Sequence, residues 1–409
     1  MKVLMVSTEY PPMKGGVGRY SAKLVEALRK TSSIKVDVAC NEDGNGDFSG
    51  LSPENKGNSD LLLNIVEESR PDVVHVQFEP GLYGLILDPS NPSASRTFID
   101  DFYRRSRVPI VTTFHSAYTF KEWMAQGMIV KREGRIGKLG IPLRAAIRAW
   151  KCLLSYKAFH DITKEKLRLS YAGICFSNYM AARIGGGYVI YHGAEPAVSP
   201  PVSKAKARET FSLPQDKKIA VAIGFSTATK GWDILTKMEM PNGWVMLLNT
   251  SKGHFNREKN FYGVADQGPD YKNKNNIIDL QRGFLTEDEL SLLFYASDVV
   301  MLPYKITSGS GVMFDALAHK LPFVASDLDF FREFAEMGLG IICNRDIESF
   351  ERSIRALALA YNEYKIRVEH FRSELQWSNI ANKHIEFFRR VISRYNEHKD
   401  RAANNSNKN

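Results

Sequence analysis

The chain has 409 residues, with 55 Lys and Arg against 46 Asp and Glu, a formal net charge of +9. Hydrophobic residues make up 44% and charged residues 25%, a globular balance that allows a sizeable core and, at about 150 residues per domain, two to three domains. No apolar run reaches the roughly 18 residues of a membrane span, and no signal-peptide pattern opens the chain. Cys40, Cys152, Cys175 and Cys343 have neither disulfide-framework nor zinc spacing, so the expectation is a reducing, cytoplasmic compartment and no metal site.

Short, nearly continuous apolar runs alternate with helical patterns. Six runs, 3–7, 36–40, 73–78, 110–114, 173–177 and 188–191, occupy the first half. Six more, 219–225, 244–249, 277–281, 299–303, 323–326 and 340–343, occupy the second. Strands that read as unbroken apolar runs are buried on both faces of a parallel sheet, and alternation with helices such as 20–29, 287–295 and 312–319 predicts a doubly wound α/β architecture. The pattern occurs twice, separated by the Pro-rich stretch 195–201. Two Rossmann-like domains facing a central cleft are therefore expected, with ligands at the carboxyl ends of the strands.

The informative residues fall at those ends. After the first predicted strand come Gly15-Gly16-Val17-Gly18 and a helix start, which lets backbone approach a ligand and offers N–H groups to an anion. By itself this turn also fits a simple tight connection. The fourth strand ends in Thr113-Phe114-His115, which puts an imidazole where it can bond a substrate hydroxyl or carry a proton. His75, inside a strand, reads as a core histidine bonded to backbone, and His192, beside the linker, reads equally well as structural or functional. Beyond the linker, Lys230 near a helix start suits a phosphate. The densest signal is Thr307-Ser308-Gly309-Ser310-Gly311-Val312 leading to Asp315. A Ser/Gly loop opening a helix suits a phosphate, and a carboxylate one turn in suits two ribose hydroxyls.

In order along the chain, Pro11-Pro12 with Gly15-Gly16-Val17-Gly18, Thr113-Phe114-His115, Lys230-Gly231, Thr286-Glu287-Asp288-Glu289-Leu290, Tyr295-Ala296-Ser297-Asp298, Leu302-Pro303-Tyr304 and Asp315-Ala316-Leu317-Ala318 resemble the retaining GT-B glycosyltransferases of glycosyltransferase family 4 over residues 1–395. The resemblance implies a metal-independent transferase with no cofactor, moving a sugar from a UDP- or GDP-sugar to a glycan or lipid-linked acceptor. It implies an acceptor domain over 1–195, a nucleotide-sugar domain over 196–376 and a helix over 377–398 packing back on the first domain; the polar, Asn-rich composition of 399–409 predicts a disordered tail. The resemblance places Gly15, Gly16 and Val17 by the donor's phosphates, His115 at the reacting centre, Lys230 on the diphosphate, the amides of Gly311 and Val312 on the phosphate, and Asp315 on the ribose. Thr307, Ser308, Gly309 and Ser310 complete the donor loop.

Three positions depart from the family. Thr307 stands where the first carboxylate of a Glu-x7-Glu pair is usual, with Ser308 or Ser310 as substitutes. Phe225 stands where an arginine is usual, and His192-Gly193-Ala194-Glu195 replaces Asn-Gly-Val-Asp. They keep open a catalytically weak nucleotide-sugar-binding or partner subunit. Another GT-B enzyme, such as a nucleotide-sugar epimerase or sugar synthase, stays open as well.

The charge is concentrated. Residues 118–170 hold twelve Lys and Arg against four Asp and Glu, interleaved with Trp123, Met128, Trp150, Leu153 and Phe159. A basic, aromatic, helical segment suits an anionic membrane surface or a solvated helix face. No stacking motif or binding fold points to nucleic acid. The expectation is a cytoplasmic enzyme, peripheral at the inner face of the membrane.

Overall fold

The structure is a computed structural model and describes residues 1–88, 91, 94–131, 141–251 and 276–406. The chain forms two compact units, one built on Met1–Met124, Arg135–Tyr191 and the closing segment from Trp377, the other chiefly on His192–Gln376.

The first unit contains a six-stranded, all-parallel sheet of β1 (Lys2–Val6), β2 (Lys35–Ala39), β3 (Val73–Phe78), β4 (Ile110–Phe114), β5 (Ala172–Cys175) and β6 (Tyr188–Val189), in spatial order β2-β1-β3-β4-β5-β6. The second contains β7 (Lys218–Phe225), β8 (Trp244–Ser251), β9 (Ile277–Asp279), β10 (Val299–Leu302), β11 (Phe323–Ser326) and β12 (Gly340–Cys343), ordered β12-β11-β10-β7-β8-β9. All twelve predicted runs are strands. Their unbroken apolar character follows from burial on both faces: every residue of β3, β4, β10 and β11 is buried. Strand order reverses once in each sheet, between β1 and β3 and between β7 and β10. At such a switch point the connections leave in opposite directions and open a crevice at the carboxyl edge, where ligands bind.

The closing helix, Trp377–Ser406, belongs to the first unit, where Trp377 packs on Tyr20 (5.6 Å between ring centres) and the Tyr395 hydroxyl donates to the Arg107 carbonyl (2.7 Å). It runs into the polar stretch expected as a tail, because Lys399, Arg401, Ala402 and Ala403 are good helix formers.

His75 lies in the core as expected, but its partner is a side chain: Nε2 sits 2.7 Å from the Thr113 hydroxyl. His384 of the closing helix lies 5.5 Å away, fully buried, and donates Nδ1–H to the Ile380 carbonyl at 2.8 Å. Burial lowers the pKa of His75 first, with the charges of His384 and His115 adding to it, and burial holds His384 down to about 4. A histidine kept neutral when folded destabilises the native state as pH falls through its unfolded value near 6.5, because only the unfolded chain then takes the proton. Stability is therefore complete above about pH 7, and His384 alone removes about 2 kcal/mol by pH 5. Thermal denaturation at the two pH values checks this: His384→Gln is expected to shrink the drop, and an equal drop in both proteins refutes it.

The basic segment is only partly solvent-facing. Lys166 is fully buried, with Nζ 2.7 Å from Asp100 Oδ1, and it leaves the expected surface patch. Trp123 and Phe159 are buried against one another at 4.7 Å. The cause is that the helix Ile141–Leu169 turns Ala158, Phe159, Ile162 and Lys166 inward, leaving Trp150 and Leu153, 59% and 47% exposed, on its outer side with Lys151 and Lys157. Arg132, Arg135 and Lys138 lie outside the described residues, as do the side chains of Met128, Lys131, Arg144 and Arg148. Among the described residues no helix is long and apolar enough to cross a membrane.

Candidate functional site

In the first unit the glycine-rich turn after β1 opens the helix Gly16–Arg29. Its helix start is already met by a carboxylate of the chain itself. Glu9, buried, accepts the Gly18 amide at 2.9 Å. A Cβ on Gly15 would lie 1.7 Å from Glu9 Oε1, so Gly15 is glycine to make room for this contact. Around Gly16 nothing stands within 4 Å of a would-be Cβ, so its backbone remains open to approach. The side chain of Glu9 is the residue the sequence reading missed; an acid shortly before a Gly-rich helix start was the available signal.

His115 follows β4 directly, its amide donating to the Phe78 carbonyl at 3.0 Å. Its ring is half-buried, held edge-on by Tyr20 (5.4 Å) and Phe176 (5.1 Å). Nε2 donates to Gln77 Oε1 at 2.9 Å, so the neutral ring carries its proton on Nε2. Gln77 in turn reaches His75, with Nε2 3.2 Å from the His75 ring. Tyr20, from the helix begun by the glycine turn, thus ties that turn to His115.

In the second unit the site grows from the switch point between β7 and β10. β7 ends at Phe225, and a short 3-10 turn, Ala228–Lys230, brings Lys230 back over the β10 end. Lys230 Nζ lies 3.8 Å above the Tyr304 ring, and the backbone is tied by the Lys305 amide to the Thr229 carbonyl (2.8 Å). Gly231 adopts φ +74, with a would-be Cβ only 1.8 Å from the Pro303 carbonyl oxygen. The Tyr304 hydroxyl is within 3.5 Å of Ser310 Oγ, and Ser310 caps the helix Gly311–Ala318 by accepting the Met313 amide at 3.2 Å.

Along Thr307–Asp315 the side chains of Thr307, Ser308, Ser310 and Asp315 are buried, while Gly309, Gly311 and Val312 are partly exposed. The Thr307 hydroxyl donates to the Gly309 carbonyl (2.6 Å) and accepts its amide (3.2 Å), closing a local turn. Ser308, Ser310 and Asp315 are each at most 5% exposed. His192 lies flat on Phe314 (5.6 Å, 5° between planes) and faces the helix start: a Cβ on Gly311 would be 3.5 Å from its Nε2. His192 Nδ1 donates to the Gly193 carbonyl at 2.8 Å. Beside them Asp233 pairs with Arg345 (2.6 Å) and Lys305 (3.3 Å). Burial raises the Asp233 carboxyl, but the bond and charge of Arg345, then Lys305, outweigh it and hold its pKa below the usual range.

Lys230, the 307–312 loop and His192 are thus gathered at one strand-end edge of the second unit. Gly15, Gly16, Val17 and His115 lie at the corresponding edge of the first. Among the described residues no three His, Cys, Asp or Glu side chains gather as metal ligands would.

No protein-family profile and no curated protein sequence matches the chain. Solved structures do. Sucrose-phosphate synthase from Thermosynechococcus elongatus is 14% identical with a TM-score of 0.65, over 96% of this chain and 99% of that one. Anabaena HepE, solved in complex with UDP and glucose, is 14% identical with a TM-score of 0.60, over 95% and 99%. WaaG, a glycosyltransferase involved in lipopolysaccharide biosynthesis, is 13% identical with a TM-score of 0.59, over 94% and 99%. The chain has the GT-B fold over nearly its whole length.

Proposed function

We propose that this protein is a retaining, metal-independent glycosyltransferase that takes a UDP- or GDP-sugar on its second unit and passes the sugar to a glycan or lipid-linked acceptor. The observation that carries the reading is the placement of Lys230 over Tyr304, beside the Ser310-capped helix start, at the β7/β10 switch point. A sugar leaves its donor as the diphosphate gains charge. A fixed cation and the free N–H groups of Gly311 and Val312 stabilise that charge where it develops. Asp315 serves the ribose hydroxyls and His115 the reacting centre. HepE, solved with UDP and glucose on the same fold, supports a nucleotide-sugar.

Heat denaturation with UDP, GDP and their sugars tests the reading. At a ligand concentration a hundred times Kd, apparent stability rises about 2.7 kcal/mol. His115→Ala is expected to keep that shift and lose turnover. No shift with any of them, together with no transfer product, overturns the reading. Binding without turnover in the unaltered chain supports instead a weak or partner subunit, which the Thr307 hydroxyl, closed on Gly309 where the family has a carboxylate, favours.

We also propose an anionic membrane surface as a partner, through Trp150 and Leu153 set among Lys151 and Lys157. Sedimentation with anionic vesicles is expected to fall when Trp150 and Leu153 are both changed to Ala. Equal sedimentation overturns this part.

A further inference from the structure

Behind His115, on one face of the first sheet, stands a short polar row that the transfer reading leaves unused. Successive residues of a strand point to opposite faces, so His75 and Gln77 of β3 share a face. The register sets Met5 of β1 opposite His75 and Thr113 of β4 opposite Gln77. All four residues are fully buried. A side-chain amide in such a place costs free energy unless it is hydrogen-bonded, and an apolar residue avoids that cost altogether.

Both ends of the Gln77 amide are engaged. Oε1 accepts from His115 Nε2 at 2.9 Å. Nε2 lies 3.2 Å from Met5 Sδ, and 3.2 and 3.4 Å from Nε2 and Nδ1 of His75. Burial first, then the charges of His384 and His115, keeps His75 neutral. It has one nitrogen to accept the amide and one N–H for the Thr113 hydroxyl, 2.7 Å from its Nε2.

These contacts decide which way the amide faces. Turned over, it would set its oxygen against the Met5 thioether, two acceptors with no hydrogen between them. Met5 and His75 thus hold the amide with its oxygen toward His115. An oxygen accepts and cannot donate, so it selects the imidazole tautomer with hydrogen on Nε2 and the lone pair on Nδ1. None of Met5, His75, Gln77 and Thr113 brings a charge, so the ring is oriented without a buried ion behind it.

We infer that Gln77 is a positioning residue for sugar transfer: locked by Met5 and His75, it fixes which nitrogen of His115 carries the proton and holds the ring at its angle. The inference rests on the reading of His115 at the reacting centre. It adds what that reading leaves open, how the imidazole is made ready. Gln77 is fully buried and acts on the reaction through His115. The arrangement follows the logic by which the partner of one ring nitrogen sets the state of the other.

The test uses the full chain with histidine labelled in heavy nitrogen. Long-range proton–nitrogen spectra read the tautomer of each ring, and the signals missing from His115→Ala identify His115. In the unaltered chain His115 is expected as the Nε2–H tautomer. Gln77→Met keeps length and volume and removes the acceptor. It is expected to shift His115 toward the Nδ1–H tautomer with the melting temperature held. It is also expected to lower kcat for release of nucleoside diphosphate from the UDP- or GDP-sugar that the unaltered chain uses by about ten- to a hundredfold, with KM changed less than about twofold. An Nδ1–H tautomer in the unaltered chain overturns the inference, and that spectrum decides even where Gln77→Met does not fold. An unchanged tautomer in Gln77→Met overturns it, as does a changed tautomer with unchanged kcat. An unaltered chain with the Nε2–H tautomer and no turnover on any UDP- or GDP-sugar overturns the donor reading, and the role of Gln77 in transfer with it, while the hydrogen bond itself stands.

Discussion

Lys230→Ala is expected to lower kcat/KM for sugar transfer by about a hundred- to a thousandfold, the usual cost of removing one fixed donor of transition-state charge stabilisation. The lysine is held in place: its ammonium rests on a buried Tyr304 ring, and its turn is tied to the Lys305 amide. Folding depends on it little, since a cation–π contact at a part-exposed position contributes about 0.5–1 kcal/mol. Kinetics and melting therefore separate. Rates with a UDP-sugar should collapse while the melting temperature moves by a few degrees at most. UDP affinity should fall as well, because charge is already present in the ground state. Wild-type rates in the variant would remove Lys230 from the site.

Gly231→Ala, one residue on, is expected to damage both fold and site. At φ +74 an alanine costs about 1–2 kcal/mol of backbone strain. Its Cβ would also stand 1.8 Å from the Pro303 carbonyl oxygen, and that atom is backbone. The same carbonyl accepts Arg345 Nε at 3.1 Å, so moving it disturbs the Asp233–Arg345 pair too. A loss of more than about 3 kcal/mol in urea unfolding is expected, together with loss of UDP binding as the Lys230 turn is pushed off Tyr304. Gly16→Ala is the contrast: open space surrounds that position, so stability should hold. A Gly231→Ala protein as stable as wild type would refute the backbone argument.

The sheets were readable because parallel strands are dry on both faces, and dryness writes itself as an unbroken run such as Val299-Val300-Met301-Leu302. Strand ends could then be read as site positions, which is how Lys230, His115 and the 307–312 loop came into view. What could not be read was which side chain answers which. Glu9 occupying the first helix start depends on how a short loop folds back over Gly15 and Gly18. Phe225 and Phe284 are separated in sequence by β8 and β9 and meet only because those strands are neighbours in the sheet. Lys166 counted as surface charge until helix phase turned it toward Asp100, since a charged residue gives no sign in sequence of being buried.

The closing helix has a consequence for the order of synthesis. All but a short stretch of the second unit is one continuous segment of chain, His192–Gln376. The first is not: His75 waits for His384, Tyr20 for Trp377 and Arg107 for Tyr395. A nascent chain on the ribosome can therefore finish its later-made half while its earlier-made half still exposes part of its core. The usual order, in which the amino-terminal domain is complete first, is reversed here. A released chain truncated after Gln376 should show a protease-resistant second unit beside a first unit that is still open to cleavage.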